Sequence, residues 1–254
     1  MIQLSPRLPT GYRLVSYDAV GSTNDEAKHL ARDGAVEGVL VWALEQTAGR
    51  GRRGRAWVSP RGNLYASLIL RPDCAADRAA QLGFVAALAV GDALGAVAPS
   101  LEGLSYKWPN DVLVNGRKIA GILLESEMSR GGALSFLVVG VGVNLAASPP
   151  DAEFPATSLA QQGLGEVSPA GVLGAFAGHF EAWTRRWRED GFTPLRAAWR
   201  ARATSLGEPI RVRLEAATLQ GRFLDIDEDG ALLLESAGER RRISAGEVFF
   251  PVNR

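Results

Sequence analysis

Apolar residues along the chain fall into several short runs and one long run, which together predict a mixture of strands and helices. The short runs are typical of buried strands and cover residues 38–44, 64–70 and 134–143. The long run at 75–97 is rich in alanine and leucine at helical spacing, so it predicts a long buried helix. The same spacing predicts helices over 172–187 and 194–203.

Local signals mark where some of these elements begin and turn. Thr23 and Glu26 fit a capping box, so a helix is expected to start there. Asn115-Gly116 lies between the apolar runs 112–114 and 119–124, and this dipeptide is the strongest short signal for a β-hairpin. The first ten residues hold two prolines and show no periodicity, which predicts a short arm.

The character of the sequence changes at about Gly207. Short apolar runs alternate there with turn residues, at 210–214, 221–226, 232–235 and 241–243. Four or five short strands at regular spacing are typical of a small β-barrel. We therefore expect an α+β protein, with a mixed β-sheet domain packed with helices over 1–204 and a small barrel over 205–254.

Composition narrows the range of functions. Lys plus Arg and Asp plus Glu number 28 each in 254 residues, so the formal net charge is zero. This balance argues against a protein that mainly grips bulk nucleic acid or an anionic membrane. Cys74 is the only cysteine, which excludes an internal disulfide and a cysteine zinc cage. The apolar stretch 82–98 is interrupted by Asp92 and is expected to fall short of a membrane span, and the N-terminus lacks a signal-peptide pattern. A cytoplasmic location is therefore expected.

The most informative stretch is GRGRRGR at 49–55, which holds four arginines and three glycines in seven residues. It matches the dinucleotide fingerprint GxGxxG, but no helix start follows it. It also mimics a phosphate loop, but Arg55-Ala56 stands where Lys-Ser/Thr is required. Composition alone leaves open a solvated basic loop or a nucleic-acid patch. Glycines that admit close backbone approach and arginines that fork onto carboxylate and phosphate instead suit two anions held together.

This loop resembles the ligand-binding loop of biotin protein ligases, GRGRxGRxW, and further segments resemble other signatures of that family in the same order. They are KWPND at 107–111, GRKIAGILLE at 116–125, GVGVN at 140–144 and ATSL at 156–159. The resemblance implies a catalytic domain of the class II synthetase and biotin ligase type, followed by an SH3-like barrel. It implies an adenylate-forming enzyme that makes biotinyl-5′-AMP from biotin and ATP and passes biotin to one lysine of a biotin carboxyl carrier protein.

The resemblance also assigns roles to individual residues. Arg50, Lys107 and Lys118 are expected to be catalytic. Biotin is expected to contact Ser22, Thr23, Asn24, Gln46, Arg50, Gly51, Arg52, Lys118, Gly121, Gly140 and Gly142, the last two by letting the ligand lie close to a strand backbone. ATP is expected to contact Arg52, Arg53, Arg55, Trp57, Lys107, Asn110 and Asn144, with Arg53 and Arg55 near the phosphates or supporting the loop. Mg²⁺ is expected to arrive with ATP rather than on direct protein ligands, and Asn144 to face phosphate or a Mg²⁺-linked oxygen.

The sequence differs from other members of the family in several ways, and other functions remain as alternatives. Some family members carry a tryptophan that packs on adenine near ATSL, where this chain has Phe154 and Pro155. The DNA-binding winged helix of longer members needs more chain than precedes Ser22, so a ligase without repressor activity is expected. The sequence leaves open whether the protein forms a homodimer. The alternatives are a lipoate- or octanoate-type ligase on the same fold, a nucleic-acid-binding module using the Arg–Gly loop, and a biotin-binding protein without turnover.

Overall fold

The computed structural model describes residues 5–250, and within them a mixed sheet forms the larger body. Its strands are β1 (Arg13–Tyr17), β2 (Val39–Ala43), β3 (Leu64–Leu70), β4 (Leu104–Lys107), β5 (Asp111–Val114), β6 (Arg117–Met128) and β7 (Leu134–Val143). Their order across the sheet is β1-β2-β3-β7-β6-β5-β4. β1 and β2 run parallel and every other neighbouring pair is antiparallel. The three strands predicted from apolar runs are confirmed, as is the hairpin.

The hairpin turn forms because its two central residues tolerate a left-handed backbone. Asn115 has φ 49° and Gly116 has φ 72°, the combination that two-residue hairpin turns require. The turn pairs β5 with β6 so that Asp111 lies opposite Gly121. Residues from two of the sequence signatures are thereby brought onto adjacent strands.

Helices cover the sheet and supply most of the remaining core. They are α1 (Thr23–Arg32), α2 (Ala76–Ala80), α3 (Leu82–Val97), α4 (Pro169–Asp190) and α5 (Thr193–Ala201). The predicted helix at 75–97 is confirmed as α2 followed by α3. All but four residues of α3 are buried, which fits a helix that is apolar on every side.

This helical run corrects the expectation that the apolar stretch falls short of a membrane span. Taken from Ala76 to Val97, it is long and apolar enough to cross a membrane, with a mean hydropathy of 1.6 over an 18-residue window. In the fold, 72% of its apolar window is buried. The run is therefore the core helix of the larger body.

The C-terminal strands form a second, antiparallel sheet that confirms the predicted barrel. They are β8 (Pro209–Arg213), β9 (Thr218–Ile226), β10 (Leu232–Ser236), β11 (Glu239–Ile243) and β12 (Glu247–Phe249), in the order β11-β10-β9-β8-β12. The barrel packs directly on the larger body. The Trp108 indole N–H donates to the Gly230 carbonyl at 2.9 Å, and a methyl group on Gly230 would come within 2.6 Å of the Phe84 ring.

Three sequence expectations need correction or qualification. The strands β1 and β4 were not expected. Helix α1 was, but the capping box is wrong: Ser22 occupies the cap position without a side-chain cap bond, and Thr23 bonds elsewhere. The predicted arm lies partly outside the described residues, and 5–10 form neither helix nor strand.

Candidate active site

A cavity of about 370 Å³ opens beside the Arg–Gly loop. Its walls come from the start of α1, the loop itself, the glycine-bearing stretches of β6 and β7, the segment 149–156, and β12 of the barrel. The loop reaches the cavity because the Gly49 carbonyl accepts from the Trp57 N–H and the Gly51 N–H donates to Arg55, which folds the loop back on itself.

Nearly all the residues assigned to ligands from the sequence meet at this cavity. Its lining includes Ser22, Thr23, Asn24, Gln46, Arg50, Gly51, Arg52, Arg55, Trp57, Lys107, Asn110, Lys118, Gly121, Gly140, Gly142 and Asn144. Arg53 is the exception among those assigned. It has φ 57°, and its guanidinium turns away to the Leu214 carbonyl of the barrel. Of the two roles expected for Arg53, its position fits support of the loop.

One end of the cavity is built from neutral hydrogen-bonding groups. Gln46 Oε1 accepts from the Thr23 backbone N–H at 2.8 Å, and Gln46 Nε2 donates to Ser59. Ser67 on β3 lies 2.8 Å from Thr23 Oγ1 and 2.6 Å from Asn24 Oδ1. Amides and hydroxyls held in this way can satisfy a polar but uncharged ligand group.

Arg50 stands between this polar end and the loop. Its guanidinium makes two hydrogen bonds to the Asp25 carboxylate, at 2.5 and 2.6 Å, and lies 3.8 Å from Glu125. Lys28 bridges the same two carboxylates. The hydrogen bond from Arg50 holds the pKa of Asp25 well below its usual range. Asp25 and Glu125 were not anticipated as partners of Arg50, because they lie on other elements.

The other end of the cavity holds two lysines on either side of one carboxylate. Lys107 Nζ lies 2.9 Å from Asp111 and Lys118 Nζ lies 2.5 Å from it. The Lys107 side chain is only 3% exposed, and burial lowers its pKa below the ordinary value. Burial alone would raise the pKa of Asp111, but Lys118 and Lys107 outweigh it and hold that pKa below its usual range. The three side chains form a buried charged cluster with a net positive charge.

Aromatic rings flank both lysines. Lys107 Nζ lies 3.8 Å from the centre of the Phe154 ring, and Lys118 Nζ lies 5.2 Å from the centre of the Trp57 ring. Phe154 in turn packs edge-on against Phe250 at the end of the barrel. Contacts of this kind attract ammonium groups to the ring faces, so they help to fix where the two charges lie.

The glycines of β7 make room for side chains of the protein itself. A methyl group on Gly140 would collide with the Asn24 amide, and one on Gly142 would come within 2.6 Å of Trp57 Nε1. The close approach expected of a ligand at these glycines is thus made here by Asn24 and Trp57. Trp57 Nε1 is buried and has no hydrogen-bond partner within residues 5–250.

The barrel and the segment before ATSL contribute carboxylates that sequence reasoning missed. Glu153 accepts from Arg55 at 3.2 Å and from Arg213 of β8 at 2.7 Å. Glu247 of β12 pairs with both arginines as well. Arg52 donates to the Gly246 carbonyl at 2.9 Å. No motif marks these acids, so their role became visible only in the folded chain.

Comparisons with known proteins agree with this geometry. The profile of the biotin/lipoate A/B protein ligase family matches residues 8–201, and that of the biotin protein ligase C-terminal domain matches 205–250. The chain belongs to the biotin protein ligase family. The match confirms the α+β class and the SH3-like character of the C-terminal sheet.

Individual relatives extend the match over almost the whole chain. A biotin–[acetyl-CoA-carboxylase] ligase of Paracoccus denitrificans is 48% identical over 90% of this chain and 97% of its own length. A bifunctional ligase/repressor of Bacillus subtilis is 38% identical over 94% of this chain and 74% of its own length. The biotin protein ligase of Aquifex aeolicus, solved with biotin and ATP, superposes with a TM-score of 0.79 at 27% identity, covering 93% of this chain and 97% of that one.

Proposed function

We propose that this protein is an ATP-dependent biotin protein ligase that forms biotinyl-5′-AMP and transfers biotin to a lysine of a biotin carboxyl carrier protein. The observation that carries the proposal is the division of one cavity into two ends. The neutral polar end at Thr23, Asn24 and Gln46 suits a cyclic urea, and the cationic end at Lys107 and Lys118 suits a carboxylate and phosphates. The relatives are ligases of this kind.

In the first reaction, an oxygen of the biotin carboxylate attacks the α-phosphorus of ATP. A new C–O–P bond forms, the bond from the α-phosphorus to the bridging oxygen breaks, and pyrophosphate leaves. Both reactants are anions, so the barrier includes their repulsion. We propose that Arg50, Lys107 and Lys118 neutralise it and stabilise the charge that builds up on the phosphate oxygens. Arg52 and Arg55 are proposed to hold the nucleotide from the loop side.

In the second reaction, the amine of the carrier lysine attacks the acyl carbon of biotinyl-5′-AMP. The C–N bond forms, the bond from the acyl carbon to the phosphate oxygen breaks, and AMP leaves as the nitrogen loses a proton. Asp111 is proposed to orient the incoming amine, since it lies beside Lys118 at the cavity wall. No nucleophile of the enzyme is needed in either step.

We propose that Mg²⁺ enters this site bound to ATP. Asn144 Nδ2 donates to the Thr157 carbonyl, whereas Asn144 Oδ1 is buried with no partner among the described residues. A free carbonyl oxygen repels phosphate oxygens but suits a water bound to a cation. Of the two roles expected for Asn144, this geometry favours the Mg²⁺-linked one. When bound, Mg²⁺ supplies charge neutralisation at the phosphates.

The remaining proposals concern organisation and setting. We propose that the chain divides into domains at 1–204 and 205–254 and that the enzyme is cytoplasmic. We also propose that it acts without binding DNA, which is supported by a ligase relative matched over 97% of its length. A homodimer would form through a sheet edge, and β1 and β4 are the edge strands of the larger sheet. Sedimentation tests whether the protein is a homodimer, and a mobility-shift assay tests whether it binds DNA.

The direct test of function is pyrophosphate release from ATP with biotin, lipoate or octanoate as the acid. We expect release with biotin alone. Release only with lipoate or octanoate would identify the alternative ligase. Biotin binding without release would identify a binding protein without turnover. DNA binding that weakens steeply with salt, with no release, would indicate a nucleic-acid module.

A further inference from the structure

Glu125 on β6 lies just behind the polar end of the cavity and joins it to the Arg50 cluster. Its carboxylate accepts from Asn24 Nδ2 at 2.7 Å and from Lys28 Nζ at 2.8 Å. Its side chain is 28% exposed. Burial would raise the pKa of Glu125, but the hydrogen bonds from Lys28 and Asn24 outweigh it, so the group stays ionised at neutral pH.

An ionised carboxylate can only accept hydrogen bonds, and this decides which way the Asn24 amide faces. Nδ2 must point to Glu125, since the opposite orientation would place the amide oxygen against the carboxylate. Oδ1 therefore points to Ser67 Oγ, 2.6 Å away. The single hydroxyl proton of Ser67 is then committed to Asn24.

The same reasoning extends one residue further. Ser67 Oγ also lies 2.8 Å from Thr23 Oγ1. The Thr23 hydroxyl has two acceptors in reach, Ser67 Oγ and Gln46 Oε1, the latter at 3.1 Å. Because the Ser67 proton is already used, the shorter contact between the two hydroxyl oxygens can be bridged only by the Thr23 proton, so Thr23 donates to Ser67. Gln46 Oε1 still accepts a hydrogen bond from the Thr23 backbone N–H. Every proton in the series therefore points the same way, from Thr23 through Ser67 and Asn24 to Glu125.

We infer that Glu125 is a positioning residue that sets the specificity of the polar end by making it a surface of hydrogen-bond acceptors. With their protons or amide donors turned toward Glu125, Thr23 Oγ1 and Asn24 Oδ1 keep lone pairs for a ligand. A cyclic urea brings two N–H donors to such a surface, whereas the dithiolane of lipoate and the alkyl end of octanoate bring none. This inference rests on the proposed function and assigns the choice of acid to a residue outside the cavity lining.

The test is steady-state pyrophosphate release by Glu125→Gln in the full-length protein. A glutamine can present its N–H₂ to Asn24, so the amide is no longer held in one orientation. We expect KM for biotin to rise about tenfold, as for loss of a hydrogen bond to a charged group. We expect kcat and KM for ATP to stay within about twofold, a split that a general loss of folding would not produce.

Two further variants make the result specific. Glu127→Gln is the matched control, because Glu127 lies two residues along the same strand and pairs with Arg32 at the surface. It should leave KM for biotin unchanged. In an Asn24→Ala background, Glu125→Gln should add little further loss, since both changes break the same series.

The outcomes separate the inference from the function it rests on. A wild-type protein that releases no pyrophosphate with biotin contradicts both. An active wild type with an unchanged KM for biotin in Glu125→Gln, or with fully additive losses alongside Asn24→Ala, overturns the inference alone. If Glu125→Gln does not fold, Ser67→Ala breaks the same series, and an unchanged KM for biotin in that variant overturns the inference equally.

Discussion

At the scale of single residues, Asp111 is the charge on which the cationic end of the cavity depends. It separates two ammonium groups, one of which is nearly excluded from water. A buried ion pair adds little to stability over an apolar alternative, but removing one partner leaves the other charge uncompensated. The charges of Lys107, Asp111 and Lys118 therefore compensate one another only while all three side chains are present.

Asp111→Asn should accordingly lower the free energy of unfolding by about 3 kcal/mol at neutral pH. Without the carboxylate, the pKa of buried Lys107 falls further below its unfolded value of about 10.4. The unfolded state then binds more protons than the folded state, so stability increases as the pH rises. Thermal unfolding should show a smaller deficit relative to wild type at pH 9 than at pH 7. A deficit that grows with pH would contradict the assignment.

Sequence spacing found the cations of the site but not their partners. Lys107 and Lys118 stand in the KWPND and GRK segments, and both line the cavity. Asp25, Glu153 and Glu247 meet arginines far from them in sequence, and pairing across elements depends on the tertiary fold.

At the scale of elements, the Arg–Gly loop closes one side of the cavity. Arg52 reaches across it, where burial lowers its pKa, and contacts the Gly246 carbonyl and Asn110. Its neighbour Arg53 points away to the barrel and does not line the cavity. Adjacent arginines of one motif thus have different surroundings, which the spacing could not distinguish.

Arg52→Gly should open this side and let biotinyl-5′-AMP escape before transfer. The released adenylate would then label lysines of bystander proteins in a dose-dependent way, which blotting with labelled streptavidin measures. Arg53→Gly is the matched control and should keep labelling confined to the carrier. Equal bystander labelling by both variants would contradict the role assigned to Arg52.

Elements with strong periodicity were predictable, and short edge elements were not. β2, β3 and β7 are almost wholly buried, so their sequences are continuous apolar runs. β1 and β4 lie at the two edges of the sheet and have only a few apolar positions each. The capping box was misread because Thr23 is used by Gln46 and Ser67, a long-range demand that local spacing cannot reveal.

At the scale of the whole molecule, the barrel is part of the active-site architecture. Gly230, with φ 91°, sits where a methyl group would come within 2.6 Å of the Phe84 ring, and its carbonyl accepts from Trp108 of the KWPND segment. An ion pair also joins the two bodies, since Glu247 of the barrel pairs with Arg55 of the loop. The larger body and the barrel therefore both contribute residues to the cavity.

The contact between Gly230 and Phe84 predicts that substitutions at two glycines of the barrel destabilise the protein by different amounts. Gly230→Ala should destabilise the protein by about 1–3 kcal/mol more than Gly238→Ala. Gly238 also has a positive φ, 79°, but an added methyl group there would meet nothing within 4 Å. Thermal unfolding of the two variants measures the difference. Equal losses would mean that the barrel does not pack against Phe84 in solution.

The central claim is that this chain attaches biotin to a carrier lysine. The most direct measurement is the intact mass of a purified apo biotin carboxyl carrier domain after incubation with the protein, biotin, ATP and Mg²⁺. The account predicts a gain of one biotinyl group, lost when ATP is omitted and when the target lysine is changed to arginine. An unchanged carrier mass with folded protein, or modification by lipoate in place of biotin, would contradict it.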